Sequence, residues 1–212
     1  MDVAASPVFT IGHSTHHLEA FVALLRRYEV AQVMDIRSRP YSRFNPQFNR
    51  ESLARSLAQC GIVYVFLGAE LGGRSDDPSC YENGRIRYDR VAATPSFRRG
   101  LDRVVRDAGG RTVALMCAEK EPLNCHRTLL VAQALATREV TVRHILADGG
   151  VETHAAAMKR LLAIHGGGPQ GELFASPGGL VEWAVARQVE RIGYRMRRQR
   201  EDVRKRSGDE PQ

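Results

Sequence analysis

Apolar and polar positions alternate in blocks along this chain. Five short runs, at residues 8–11, 31–36, 62–67, 112–117 and 140–146, are rich in β-branched and other apolar residues and read as strands. Between them the apolar positions recur at helical spacing. Leu18, Phe21, Val22, Leu25 and Tyr28 fall on one face, as do Leu53, Leu57 and Cys60, with Gly61 suited to the position just past a helix end. A third helix is predicted to start with Thr94 as N-cap and Pro95 in its first turn. It turns Phe97, Leu101, Val104 and Val105 inward and stops at Gly109 and Gly110. Further helices are predicted over 128–138 and 153–165, and a long helical pattern runs on from Leu180.

Strand and helix alternate, and a parallel return needs a crossover, so the pattern predicts a mainly parallel sheet with helices on both faces. The fold class is α/β. One three-layer domain spans residues 1–165, and a Gly-rich break and a basic C-terminal helical extension with a fraying end fill residues 166–212. The glycines and prolines of residues 72–84 read as a mobile loop beside the site.

Composition narrows the function classes. At 212 residues, 43% hydrophobic, the chain is long enough to bury one sizeable core. No run approaches the roughly 20 apolar residues of a membrane span, and the amino terminus lacks a leader pattern, so a cytoplasmic protein with no membrane contact is expected. Four cysteines, Cys60, Cys80, Cys117 and Cys125, show no paired CxxC spacing, which favours reduced thiols over a disulfide scaffold. The net charge of +7 is concentrated in residues 187–206, where eight arginines and one lysine face three acids, a local balance of +6. That stretch is either a solvated helix face or a nucleic-acid contact.

The candidate chemistry follows the strands. Parallel sheets bind ligands beyond their carboxyl edge, and polar clusters follow each of the first four strands. After the first come His13, Ser14 and Thr15; Ser14 or Thr15 is expected to cap the next helix and leave its N–H groups facing an anion. After the second, Asp35 is expected to need a buried partner, most simply a neighbouring arginine. Arg37, Arg39 and Arg43, with Asn45 and aromatic groups among them, suit phosphate oxygens and a stacked base. After the third, paired glycines precede Arg74. The densest cluster follows the fourth, with Cys117, Glu119, Asn124, Cys125, His126 and Arg127 running into a helix. Asn124 is the predicted N-cap, which would place Cys125 at a helix start, either as a nucleophile or as a helix-start contact. Glu119 is the predicted general acid or base, and His126 completes the catalytic group. The same residues admit a metal reading with Cys117, Cys125 and His126 as ligands, but no metal ligand is assigned, because zinc sites usually show shorter paired spacings and neighbours Cys125 and His126 would point apart on a helix.

The blocks at residues 10–14, 35–40, 71–74, and 117–119 with 125–127 resemble the domain-of-unknown-function family numbered 488, over about residues 8–165. The tail around Leu173, Phe174 and residues 188–195 resembles extensions of its relatives. The resemblance implies a compact α/β domain with Arg37, Arg74, Glu119, Cys125, His126 and Arg127 at a shared site, and it carries no established reaction. From the residues themselves, the expected function is an enzyme, a hydrolase or transferase, on a phosphorylated substrate: a nucleotide, nucleoside derivative or nucleic acid. Its phosphate would be held by Arg37, Arg39, Arg43, Arg74 and Arg127, with His13, Ser14, Thr15 and Asn45 as further substrate-binding candidates. The alternatives are a non-catalytic nucleic-acid-binding module and a metal-stabilised structural domain. Cofactor and oligomeric state stay open.

Overall fold

A computed structural model describes residues 6–166 and 177–195. The elements run β1 (Val8–Gly12), α1 (Leu18–Arg27), β2 (Gln32–Asp35), α2 (Arg50–Gln59), β3 (Val63–Phe66), α3 (Gly68–Leu71), β4 (Tyr81–Glu82), β5 (Arg85–Ile86), α4 (Tyr88–Ala93), α5 (Pro95–Ala108) and β6 (Val113–Cys117). A π-helical segment, Arg127–Ala132, then leads into α6 (Gln133–Ala136), followed by β7 (Val142–Ile145), β8 (Val151–Thr153), α7 (His154–Ile164) and α8 (Pro177–Ile192). Six strands form one sheet in the order β3-β2-β6-β1-β7-β8. All its pairings are parallel except β7 with β8.

The inner strands β1 and β6 are buried along their whole length, as expected of strands covered on both faces. On one face α1 and α2 pack Phe21, Leu25, Leu53 and Leu57 against Phe9, Ile11, Val33 and Met116. On the other, α5 and the π-helical segment pack Phe97, Val104, Leu130 and Val131 against Met34, Leu115 and Val142. The connections leaving the neighbouring strands β1 and β6 therefore run on opposite faces, which opens a crevice between their carboxyl ends. Register lines those ends up: Gly12 lies opposite Cys117, and Asp35 opposite Met116.

The helix boundaries follow local chemistry. Thr94 Oγ1 accepts the Phe97 N–H at the head of α5, and Thr153 Oγ1 accepts that of Ala156 at the head of α7. Helix α8 packs on α7, burying Ala184 and Val189 beside Leu123, Leu129 and Leu161. No helix among the described residues is long and apolar enough to cross a membrane. The basic run from Met196 onward, predicted as a continuing helix, lies outside the described residues.

Four expectations need correction. Val105, predicted to turn inward, is exposed on α5. Neither Ser14 nor Thr15 caps α1. The β1 pairing instead continues alongside β6, with His13 and Ser14 donating their N–H groups to the Cys117 and Ala118 carbonyls. The chain then turns at Ser14 (φ 47°), and α1 starts only after His17, without a side-chain cap. The segment 72–84 is no irregular loop throughout: it contains the turn Pro78–Cys80 and enters the β4–β5 hairpin. Nor is Asn124 an N-cap, because its Oδ1 accepts the Gln188 side-chain N–H of α8 at 2.9 Å.

Candidate active site

Beyond β2, β3 and β6 lies a cavity of about 260 Å³ walled by Arg37, Ser38, Arg39, Gly73, Arg74, Cys117, Glu119, Cys125 and His126 and closed by Tyr88, Ile192 and Tyr194. A larger hollow of about 900 Å³ between the β4–β5 hairpin and α8 shares Tyr88 with it. None of the cysteines or histidines lines that hollow. The reactive groups are in the smaller cavity.

Cys125 reaches this floor because it is not yet helical. Its backbone is extended (φ −140°, ψ 141°), its carbonyl accepts the first helical N–H groups from Thr128 and Leu129, and its sulfur accepts the Arg127 N–H at 3.5 Å. Cys125 thus fills the capping place predicted for Asn124. His126 follows as the first helical residue, and the break in backbone conformation swings both side chains to the same side. The His126 Nδ1 lies 3.9 Å from Cys125 Sγ and 3.7 Å from Cys117 Sγ. The expectation that these neighbours diverge is overturned, because it assumed both were helical. The other ring nitrogen, Nε2, donates to the Ile36 carbonyl at 2.9 Å, which turns Nδ1 towards the sulfurs.

Both cysteines are buried. The Cys117 thiol is pushed well up, first by donating to Cys125 and then by burial. Burial by itself also raises Cys125. The Cys117 hydrogen bond, the Arg127 guanidinium and His126 outweigh it and hold the Cys125 thiol well below its usual value. Glu119 is exposed as a residue, yet partial burial of its carboxyl and the negative Cys125 push its pKa up.

The arginines divide by role. Arg37 is buried and committed: it pairs through Nε and Nη2 with both oxygens of Asp35, at 2.9 and 2.6 Å, and donates to the Phe48 carbonyl and His13 Nε2. It forms wall, with its charge already matched. Arg127 is wholly buried behind the floor, donating to the Glu119 and Lys120 carbonyls. No carboxylate pairs with it among the described residues, and its Nε has no partner. Arg39 and Arg74 are exposed on the cavity rim and form no ion pair among the described residues. The Arg74 guanidinium lies 4.3 Å over the Tyr194 ring. Arg43 lies over Phe44 on an exposed loop with Asn45, and neither lines the cavity. His13 is buried outside it, stacked on Phe48, and Ser14 and Thr15 also stand apart.

Sequence reasoning missed Tyr88, Ile192 and Tyr194 as walls. Tyr194 is brought in because Gly193 ends α8 and the following chain pairs with β5, Ile86 donating its N–H to the Tyr194 carbonyl at 2.9 Å. The glycine after a long helical pattern was the available signal.

Gly12 shows how tightly the floor is built. A Cβ there would lie 1.8 Å from the Glu119 carbonyl oxygen and 2.8 Å from Arg127 Nη1. Gly12→Ala must therefore displace backbone and weaken the Arg127 anchor, and we expect a loss of about 3 kcal/mol from overpacking. Urea unfolding measures it, and an unchanged midpoint would show that the 119–120 segment yields freely.

A family model described as Domain of unknown function DUF488 matches residues 17–134, a narrower span than the 8–165 of the resemblance. No curated protein and no solved structure matches the chain.

Proposed function

The chain belongs to the DUF488 family, whose description assigns no reaction, and we propose from its own cavity that it is an enzyme, a hydrolase or transferase, acting on a phosphorylated substrate. The observation that carries this reading is the pairing of two unmatched guanidiniums, Arg39 and Arg74, on the rim with the Cys117, Cys125 and His126 cluster on the floor. Arginine with no protein counter-ion favours phosphate or carboxylate oxygens at bidentate range. Glu119 is the one carboxylate among the described lining residues, so proton transfer to or from the substrate falls to it.

Size selects among phosphorylated molecules. About 260 Å³ is just below the usual range of ligand pockets, about 300–1,000 Å³. It takes one phosphate-bearing unit, such as a nucleotide, a nucleoside derivative or a strand end. A duplex can meet only the rim. The aromatic rings of Tyr88 and Tyr194 supply apolar surface for a base or sugar.

Thermal unfolding with a panel of nucleoside phosphates, sugar phosphates and short oligonucleotides tests the proposal. At about 100 times its dissociation constant a ligand adds roughly 2.7 kcal/mol, a rise of about 5–11 °C for a domain of this size. Arg39→Ala and Arg74→Ala should each reduce the shift, and Glu119→Gln should keep the shift while abolishing turnover. No shift with any phosphorylated compound, or shifts unaltered in both arginine variants, would overturn the reading. Binding of oligonucleotides with no turnover of any of the panel would replace it with a nucleic-acid-binding module.

A further inference from the structure

We propose that Cys117, Cys125 and His126 form a mononuclear zinc site whose fourth coordination position opens into the cavity. The existence of the site is independent of the phosphate reading. Its use in catalysis rests on that reading.

Three observations carry the site. The first is distance. With Zn–S near 2.3 Å and Zn–N near 2.0–2.1 Å at tetrahedral angles, the ligand atoms should stand about 3.6 Å (S to N) and about 3.8 Å (S to S) apart. Cys117 Sγ and Cys125 Sγ lie 3.7 and 3.9 Å from His126 Nδ1, and all three atoms lie within 4.8 Å of one another. A cation at their centre needs movements of a few tenths of an ångström at the nitrogen edges, and the sulfur–sulfur edge, bounded at 4.8 Å, closes by up to about 1 Å. A disulfide, with its S–S bond of about 2.05 Å, requires a larger rearrangement of the buried strand end and helix start.

The second observation is the ring orientation. Metal-bound histidines donate their remote N–H to a carbonyl or carboxylate, which fixes the tautomer and aims the free nitrogen. His126 does this through Nε2 to the Ile36 carbonyl. The ring has no freedom to turn away: a Cβ on Gly73 would stand 2.8 Å from His126 Cγ and 2.9 Å from Nδ1. Glycine there lets the α3–β4 connection press the imidazole into place.

The third is placement. All three side chains are buried, yet all three line the cavity. One face of the ligand triangle is therefore closed by protein and the other opens to the substrate space, as in catalytic zinc sites with three protein ligands. Two thiolates and one neutral imidazole balance Zn²⁺. A hydroxide in the fourth position would make the centre negative by one, opposite the buried, carboxylate-free Arg127. On a phosphate ester, a water in that position would give its proton to Glu119. The resulting hydroxide forms the new O–P bond as the leaving oxygen's P–O bond breaks, and Glu119 returns the proton to that oxygen. Soft thiolate ligation with three donors selects zinc over magnesium or calcium.

Elemental analysis of the full-length protein, purified without chelator or affinity metal, tests the site directly. About one zinc per chain is expected, consistent with a single site of this ligand set, and Cys117→Ser, Cys125→Ser and His126→Asn should each lose it while Cys60→Ser and Cys80→Ser keep it. Because a ligand variant could misfold, the wild-type protein is also stripped and titrated with Co²⁺. A tetrahedral visible spectrum with a thiolate-to-cobalt charge-transfer band is expected, reversed by stoichiometric Zn²⁺. Absence of bound zinc together with a cobalt spectrum lacking that band would overturn the proposal, as would stoichiometric zinc retained in Cys117→Ser. A stably bound metal other than zinc would overturn its identity. If zinc binds and no phosphorylated compound does, the substrate reading fails and the metal site stands. If phosphorylated compounds bind and zinc does not, the reverse holds.

Discussion

Asp35→Asn is expected to destabilise the fold by about 3–5 kcal/mol, the cost of leaving a buried charge without its partner. Asp35 is inaccessible to solvent and accepts four hydrogen bonds. One oxygen takes the Arg37 backbone N–H and Nε, the other takes Arg37 Nη2 and the Tyr64 hydroxyl at 2.7 Å. An amide has one acceptor oxygen and turns two N–H groups towards donors already there. Arg37 would remain buried with no counter-charge, its partners reduced to one amide oxygen, the Phe48 carbonyl and His13. The Asp35→Asn/Arg37→Met double variant removes the stranded charge and should be less destabilised than the two single losses added together, a coupling of at least about 1 kcal/mol. Urea unfolding of the four proteins measures it. A single-variant loss below about 1 kcal/mol would mean that Arg37 reaches water, which its burial argues against.

The central strands were legible because both their faces are covered, so they read as unbroken apolar runs. The heads of α5 and α7 were legible because Thr94 and Thr153 cap them through bonds that local sequence specifies. The β4–β5 hairpin was overlooked although Asn83 and Gly84 both have positive φ, 50° and 74°, and Asn-Gly is the strongest short hairpin signal. Its strands are two residues each, too short for an alternating pattern to show.

The site was legible as a location and less so as a set of roles. Parallel topology brought the segments after β2, β3 and β6 together, as polar residues at strand ends suggested. Which arginine stays free was not readable: Arg37 and Arg39 are two residues apart, and only the position of Asp35 at the end of a buried strand decides that the first is consumed. Arg127 looked like a phosphate ligand, but the π-helical start of its helix turns it under the floor. The convergence of Cys125 and His126 depends on one extended residue before a helix. Spacing alone assigns that residue to the helix and so separates the pair. Cys117 ends a buried apolar strand and also reaches the same cluster.

Lowering the pH from about 6.5 to 5 should destabilise the protein more steeply than carboxylates can explain, because three histidines are buried in the neutral form. His13 is lowered to about 4, by burial and then by Arg37. His144 is lowered to about 3, by burial and then by His154 and Arg127, and His154 to about 4, by burial. The geometry gives the same answer. Thr10 Oγ1 donates to His144 Nδ1 at 2.7 Å, His144 Nε2 to His154 Nδ1 at 3.1 Å, and His154 Nε2 to Gln133 Oε1 at 3.0 Å. His13 donates through Nδ1 to the Ser14 carbonyl and accepts Arg37 at Nε2. Every ring nitrogen that would take a proton already faces a donor. The unfolded chain binds these protons near pH 6.5 and the folded chain only near 3–4, so stability is complete above 6.5 and falls as the pH drops through that window. Each independent histidine contributes about 1.4 kcal/mol per pH unit, so three would remove about 6 kcal/mol by pH 5. The hydrogen bond between His144 and His154 couples these two rings in the folded state, which holds the second proton off further and leaves the figure at pH 5 unchanged. Unfolding free energies between pH 7 and 5, above the range where most carboxylates titrate, should show a slope of two to three protons. Replacing His144 and His154 together by glutamine, which keeps polar atoms in the buried chain, should reduce that slope to about one. A flat profile across the window in the wild-type protein would mean that these rings accept protons while folded, and that the Thr10–His144–His154–Gln133 chain does not hold the polarity its distances imply.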